Sequence, residues 1–276
     1  MLYKNLLGNT MSQSVNITTM RNSEFAIIKR LVFDKIGITL NDSKKEMVST
    51  RLYCRLRHYK LNSFASYIKI VQLSEFEMSE FLNRISTNET YFFREKIHFD
   101  FLQTLSKKVD YLRVWSAASS IGAEAYSIAM VLDNFLEKWD IVASDINTHV
   151  LKIANTGLYQ LPMLDKIPQL YKKKYCLIGR NHFENKILID RKLMKHIVFL
   201  ENNLMSPNLM LGKFDVIFLR NVLLYFSDET KDKVINNIIN NLEIGGYLII
   251  GLTDVIQDRN FKSLQYMNNS IYKKVL

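Results

Sequence analysis

The 276-residue sequence predicts an α/β protein: a Rossmann-like, mostly parallel sheet preceded by a helical domain. Three observations predict it. Residues 21–87 carry helical periodicity alone, and from Tyr111 short apolar runs alternate with amphipathic helical stretches. Hydrophobic residues make up 48% and charged residues 23%, ordinary globular usage that argues against disorder or a fibre. Strand–helix–strand runs of this kind close with right-handed crossovers and helices on both faces.

In chain order, residues 1–20 are polar and aperiodic and read as a flexible arm. Residues 21–87 form the N-terminal helical domain, in which Asn41, Asp42 and Ser43 make a cap cluster. Glu46 follows Ser43 by three, the spacing of a capping box that starts a helix. On that helix Val48, Leu52, Leu56 and Tyr59 fall within about 80° of one another. Lys44, Arg51, Arg55 and His58 form an adjoining basic stripe, suited to an acidic partner surface. Residues 88–276 form the second domain. Segments 112–117, 140–146, 214–220 and 246–252 read as strands; 122–136, 147–155 and 227–242 read as helices. The stretch 171–199 breaks the rhythm: the apolar runs 187–189 and 197–200, with Gly179 and Asn181 as turn residues, predict a small antiparallel β-subdomain insertion. The tail 270–276 reads as an edge strand.

Charge narrows the partners. The net charge is +10, and two segments concentrate it: 21–60 holds ten basic and four acidic side chains, 171–196 eight and two. Such patches attract an acidic protein surface or a nucleic acid. Two cysteines, Cys54 and Cys176, cannot make a disulfide framework, which fits a cytoplasmic protein. With five scattered histidines they show no metal-ligand spacing, so no metal is expected. No apolar run approaches the ~20 residues of a membrane span, and residues 1–10 make a poor secretory signal, so no stable membrane insertion is expected.

Chemistry in an open parallel sheet sits at the carboxyl ends of its strands. The first strand runs into Trp115-Ser116-Ala117-Ala118-Ser119-Ser120-Ile121-Gly122, small residues that let a ligand approach the backbone. Asp145 ends the second strand 23 residues beyond Gly122, close to the ~20-residue offset of an acid that binds a ribose diol. G-x-G-x-x-G is missing, which disfavours a dinucleotide pyrophosphate and leaves an adenosine ligand without phosphates, S-adenosylmethionine (SAM) being the common one. The serines lack the G-x-S-x-G setting of a hydrolase nucleophile.

Four motifs then stand in fixed order: N-E-T-Y-F-F-R-E from Asn88, V-W-S-A-A-S-S-I-G-A-E-A-Y-S-I-A from Val114, A-S-D-I-N-T-H-V-L-K-I-A-N-T-G-L-Y from Ala143, and F-D-V-I-F-L-R-N-V-L-L-Y-F from Phe214. Together they resemble the CheR family, the chemotaxis receptor glutamate O-methyltransferases, over about residues 41–276. The resemblance implies methyl transfer from SAM to glutamate side chains of chemoreceptor cytoplasmic domains, leaving S-adenosylhomocysteine (SAH). It implies cofactor contacts from Asn88, Thr90, Arg94, Ala117, Glu124, Asp145, Asn203, Leu204, Arg220 and Asn221, and an active-site Tyr225 that acts with Arg94. Given that resemblance, the basic stripe of Lys44, Arg51, Arg55 and His58 is expected to dock along acidic receptor helices, and whether the β-subdomain grips a receptor's C-terminal tail stays open. Two motifs depart from the family pattern: S-T-G-E-E-P reads Ser120-Ile121-Gly122-Ala123-Glu124-Ala125, and G-H-S-E reads Gly251-Leu252-Thr253-Asp254. Competing readings are a nucleic-acid or other SAM-dependent methyltransferase, or a non-catalytic SAM-binding receptor partner. The first lacks both an Asn/Asp-Pro-Pro-aromatic motif and a Pro-Cys nucleophile.

Overall fold

The structure, a computed structural model, describes residues 18–256 and 261–276. The chain divides into two compact units: the residues up to Arg30 with Asn41–Ile85, and Leu31–Leu40 with Ser86–Leu276. Apolar residues three and four apart explain helix α1 (Asn22–Ile36), whose residues divide between the two units after Arg30, and the other helices of the first. Helix α1 buries Phe25, Ile28, Val32 and Ile36, and α2 (Lys45–His58) buries Val48, Leu52 and Leu56. Helix α3 (Phe64–Leu73) starts at Ser63, whose Oγ accepts from Ser66 N at 3.3 Å. Helix α4 (Glu75–Ile85) buries Met78, Phe81, Leu82 and Ile85. One expectation fails here. Ser43 and Glu46 form no capping box, because Ser43 Oγ donates to Asn41 Oδ1 at 2.6 Å and a 3-10 turn, Asp42–Lys44, leads into α2. Of the arm expected over 1–20, residues 1–17 lie outside the described residues. The remainder is anchored, with Thr18 N donating to Asn62 O at 2.9 Å and Met20 buried.

A buried polar network in this unit overturns part of the basic stripe. Glu77 is fully buried; its Oε1 accepts from Arg55 Nε at 2.9 Å and Tyr67 OH at 2.7 Å. Its Oε2 accepts from Arg55 Nη2 and from Tyr59 OH at 2.9 Å. Burial works to raise the Glu77 carboxyl, but these donors outweigh it and hold it below the usual range. Arg55 is therefore an internal counter-ion, 8% exposed, and not a docking cation. Arg51 is half-buried and donates Nη1 to Ile85 O at 2.8 Å, leaving Lys44 and His58 as the stripe's exposed members. Arg55→Ala strands the Glu77 carboxylate and should cost about 3–5 kcal/mol in urea unfolding of the full chain, whereas Lys44→Ala should stay within about 0.5 kcal/mol.

The second unit alternates strand and helix as expected. It runs α5 (Lys96–Ser106), β1 (Tyr111–Ala117), α6 (Ala123–Phe135), β2 (Lys138–Asp145), α7 (Thr148–Thr156), β3 (Leu158–Gln160), α8 (Gln169–Tyr175), β4 (Cys176–Ile178), β5 (Lys186–Ile189), α9 (Arg191–Met194), β6 (Ile197–Glu201), β7 (Phe214–Leu219), α10 (Asp228–Asn240), β8 (Leu242–Ile250), β9 (Leu264–Asn268) and β10 (Ile271–Lys274). The main sheet has the order β6-β2-β1-β7-β8-β10-β9, parallel from β6 to β8. Both faces are covered. Val114, Val216 and Phe218 pack on the α6 side with Ile128 and Leu132, while Trp115, Ile217 and Leu219 pack on the α10 side with Val234 and Ile238. The chain leaves β1 toward β2 on one side and returns as β7 on the other, so the tips of β1 and β7 flank the switch in strand order.

The insertion is a three-stranded antiparallel sheet, with the expected run 187–189 in its central strand β5 but without the run 197–200. Its order is β3-β5-β4, so residues 158–160 supply one strand. The run 197–200 belongs elsewhere: as β6 it pairs parallel with β2, Ile141 opposite Ile197, and Phe199 packs with the main core. The tail strand β10 is not an edge either, since it lies between β8 and β9. Residues 31–40 join this unit through Ile38, which bridges Phe226, and Thr39 N, which donates to Tyr225 O at 2.9 Å. No helix among the described residues is long and apolar enough to cross a membrane.

Candidate active site

The turn after β1 is built by backbone strain and one carboxylate. Ala118 and Ser120 adopt positive φ (62° and 50°), and Gly122 (φ 83°) precedes α6 where an added Cβ would meet Ala154 Cβ at 2.8 Å. Asp145 fixes this path: Oδ2 accepts from Ser120 N and Oδ1 from Asn147 N, both at 2.8 Å. Burial pushes the Asp145 carboxyl up, and these backbone amides pull against it. Ser120 Oγ donates to Asn88 O at 2.9 Å, tying the N-E-T-Y-F-F-R-E loop to the turn. That loop sorts its residues by side. Phe92 and Phe93 are buried, packing on Tyr159 (5.0 Å between ring centroids) and Tyr171 (5.2 Å). Asn88, Thr90 and Arg94 stay partly exposed.

The tip of β7 carries the densest charge. Arg220, 5% exposed, donates Nη1 to Glu124 Oε2 at 2.9 Å, and Nη2 to Glu95 Oε2 at 3.1 Å and to the Arg94 carbonyl. Ser116 Oγ donates to the other Glu124 oxygen at 2.7 Å. Burial raises the Glu124 carboxyl, opposed by Arg220. Burial also works to raise Glu95, but hydrogen bonding from Asn221 and the Arg220 charge outweigh it, and Glu95 titrates below the usual range. Asn221, at φ 55°, donates Nδ2 to Glu95 Oε1 at 3.1 Å, and its backbone N donates to Asp254 Oδ2 at 2.7 Å. Gly251 must be glycine here, since a Cβ would lie 2.6 Å from Asn221 Nδ2. In the departed G-L-T-D segment, Asp254 also accepts from Gly251 N at 3.1 Å, so a carboxylate still pins this turn.

The structure thus links Asn88, Arg94, Glu124, Asp145, Arg220 and Asn221 around the β1 and β7 tips, with buried Ala117 ending β1. Tyr225 lies four residues beyond Asn221 in the 3-10 turn Leu223–Tyr225, half-buried. The Asn203 side chain is tied down in this structure: Nδ2 donates to Lys35 O at 2.8 Å and Oδ1 accepts from Met205 N at 3.0 Å. The Leu204 carbonyl accepts from Asn237 Nδ2 at 3.0 Å. The neighbouring Asn202 is the residue sequence reasoning passed over. Its N donates to Asp145 O at 3.0 Å, and its Nδ2 is buried without a partner among the described residues. Glu95 and Asp254 were also passed over, although each stands inside a quoted motif.

These groups fit SAM. Asp145 keeps lone pairs for a ribose diol, Ser119 Oγ and Arg220 Nε are buried without partners among the described residues, and the β1 turn exposes backbone to an adenosine. That is the ligand set of a SAM-dependent methyltransferase. Comparison with known proteins agrees: the CheR methyltransferase SAM binding domain matches residues 88–272, and the CheR methyltransferase all-alpha domain matches 23–86. The chemotaxis protein methyltransferase of Borreliella burgdorferi is 33% identical, over 96% of this chain and 98% of that protein. That of Escherichia coli K12 is 33% identical, over 89% and 87%. Chemotaxis protein methyltransferase 2 of Pseudomonas aeruginosa is 34% identical, over 91% of each. The chain belongs to the CheR methyltransferase family.

Because Glu95 is held below its ordinary value of 4.5, its contribution to stability is present above that value and is lost as pH falls through the lowered one. Glu95→Gln should lower Tm at pH 7 by about 4 °C, and the deficit should shrink between about pH 5 and pH 3 in a calorimetric pH series.

Proposed function

We propose that this methyltransferase esterifies glutamate side chains on the cytoplasmic domains of chemoreceptors, working in the cytoplasm. The linked cluster of Asp145, Glu124, Arg220 and Asn221 at the switch point, joined to the Asn88–Arg94 loop, is the observation that carries the reading. Bound SAM supplies an electrophilic methyl group on a sulfonium. Asp145 accepts from the ribose hydroxyls, Glu124 and Arg220 present opposite charges to the amino-acid end, and Asn88 and Thr90 close the loop over it. The accepting carboxylate has an ordinary pKa near ~4.3 and is already ionised, so the site needs no general base. Arg94 and Tyr225 hold that carboxylate in line by hydrogen bonding. Such positioning can contribute up to roughly 7–11 kcal/mol. Attack merges a negative and a positive charge, so excluding water from the carboxylate favours it.

Docking uses the exposed Lys44 of the helical unit, with the exposed His58 ring at the end of α2, against acidic receptor helices. The β-subdomain takes a receptor tail by strand addition, in the manner that its edge strand β4 allows, where Leu177 and Ile178 are 58% and 62% exposed. Incubation with methyl-labelled SAM and purified receptor cytoplasmic domains, with and without the tail, tests this. Base-labile label on receptor glutamates is expected; label on DNA or RNA in a parallel incubation, or none on receptor, would overturn it. Arg94→Ala and Tyr225→Phe should each slow transfer about tenfold or more, the loss expected for a hydrogen bond to a charged group, in protein whose unfolding is unchanged.

A further inference from the structure

We propose that Lys166 is a substrate-steering residue, which with Arg94 brackets the Tyr91 ring and offers a cationic lip to the acidic segment that carries the accepting glutamate. The inference rests on the function proposed above and names the surface that receives its substrate. Tyr91 is 38% exposed, an aromatic of the site loop left at the surface immediately before the buried Phe92 and Phe93. The Arg94 Cζ lies 5.8 Å and the Lys166 Nζ 5.5 Å from its ring centroid. Arg94 donates Nη1 to the Glu89 carbonyl at 3.2 Å, and neither cation forms an ion pair among the described residues. Two lysines of the nearby basic cluster, by contrast, are paired: Lys174 and Lys192 share Asp133, at 3.8 and 3.1 Å. Two uncompensated cations on one ring repel each other, and an anion beside the ring relieves that.

The backbone that carries these residues is anchored on both sides. Lys166 ends the 3-10 turn Leu161–Lys166, in the chain between Tyr159 and Tyr171. Those two tyrosines pack on Phe92 and Phe93, the residues that follow Tyr91. The other end of the loop is bonded to the strand tips through Ser120–Asn88 and through Arg220 on the Arg94 carbonyl. The insertion therefore delivers one cation to the same ring as the residue that addresses the reacting carboxylate. A carboxylate-rich protein segment fits this lip, because the two cations steer it toward the site.

Full-length Lys166→Glu, Lys166→Ala and Lys166→Arg, assayed against a purified receptor cytoplasmic domain at low and high salt, decide the matter. Lys166→Glu should raise the receptor KM about two- to fivefold at low salt, the size of an exposed charge pair, with a much smaller change in kcat. The increase should fade at high salt, Lys166→Arg should restore the wild-type KM, and the SAH dissociation constant should not move. An unchanged KM in Lys166→Glu, a KM change that ignores salt, or a parallel loss of SAH affinity would overturn the assignment. Absence of receptor methylation by the wild-type protein would instead refute the proposed function, and this inference with it.

Discussion

A guanidinium buried at the end of a strand dictates the geometry of this protein's site. Arg220 cannot be left in the interior without partners, because an uncompensated buried charge costs several kcal/mol. Its partners come from separate elements: Glu124 from the first turn of α6, Glu95 and the Arg94 carbonyl from the entry to α5, and the Phe99 ring from α5 itself, 5.6 Å away. Satisfying one side chain therefore fixes how two helices meet the tip of β7. Glu95 extends the constraint to the segment after β8, accepting from Leu252 N at 3.1 Å. The left-handed backbone at Glu95 and Asn221 (φ 55° each) is the local strain that the network holds in place.

Around that anchor the site divides its labour between two kinds of group. Asp145 is held by backbone amides, Glu124 by Ser116 and Arg220, and Asn221 by Glu95 and Asp254, so their oxygens and nitrogens have little freedom to wander. Arg94 and Tyr91 stand at the opening, with side chains that remain partly in water. A rigid inner set suits recognition of one invariant small molecule, and a hydrated cationic rim suits a protein substrate that must arrive, react and leave.

Much of this was legible in the chain. The alternation of apolar runs set the parallel sheet, and Asp145 was found from its spacing to Gly122 because a strand and a helix of ordinary length separate the two positions in any such fold. What periodicity could not show was who would neutralise whom. Arg55 lies on a basic stripe by its angle, yet Glu77, on a helix 22 residues away, draws it inside. The same blindness to long-range pairing put 197–200 in the insertion, since an apolar run looks alike whether its partner is an antiparallel neighbour or the parallel β2. Nor could periodicity show that neighbouring asparagines part ways: Asn202 N donates to the Asp145 carbonyl, and the Asn203 side chain turns to the Lys35 carbonyl. Glu95 stood in a quoted motif, but its role depends on Arg220, 125 residues on, and no local pattern reports that.

The claim most exposed to refutation is that the strand tips around Asp145 and Arg220 hold the SAM scaffold. Calorimetric titration of SAH into the pure full-length protein addresses it without reference to any methyl acceptor. The account predicts a saturable one-to-one isotherm that Asp145→Asn weakens about tenfold or more. A folded protein that gives no binding heat, or an isotherm that Asp145→Asn leaves unchanged, would contradict it.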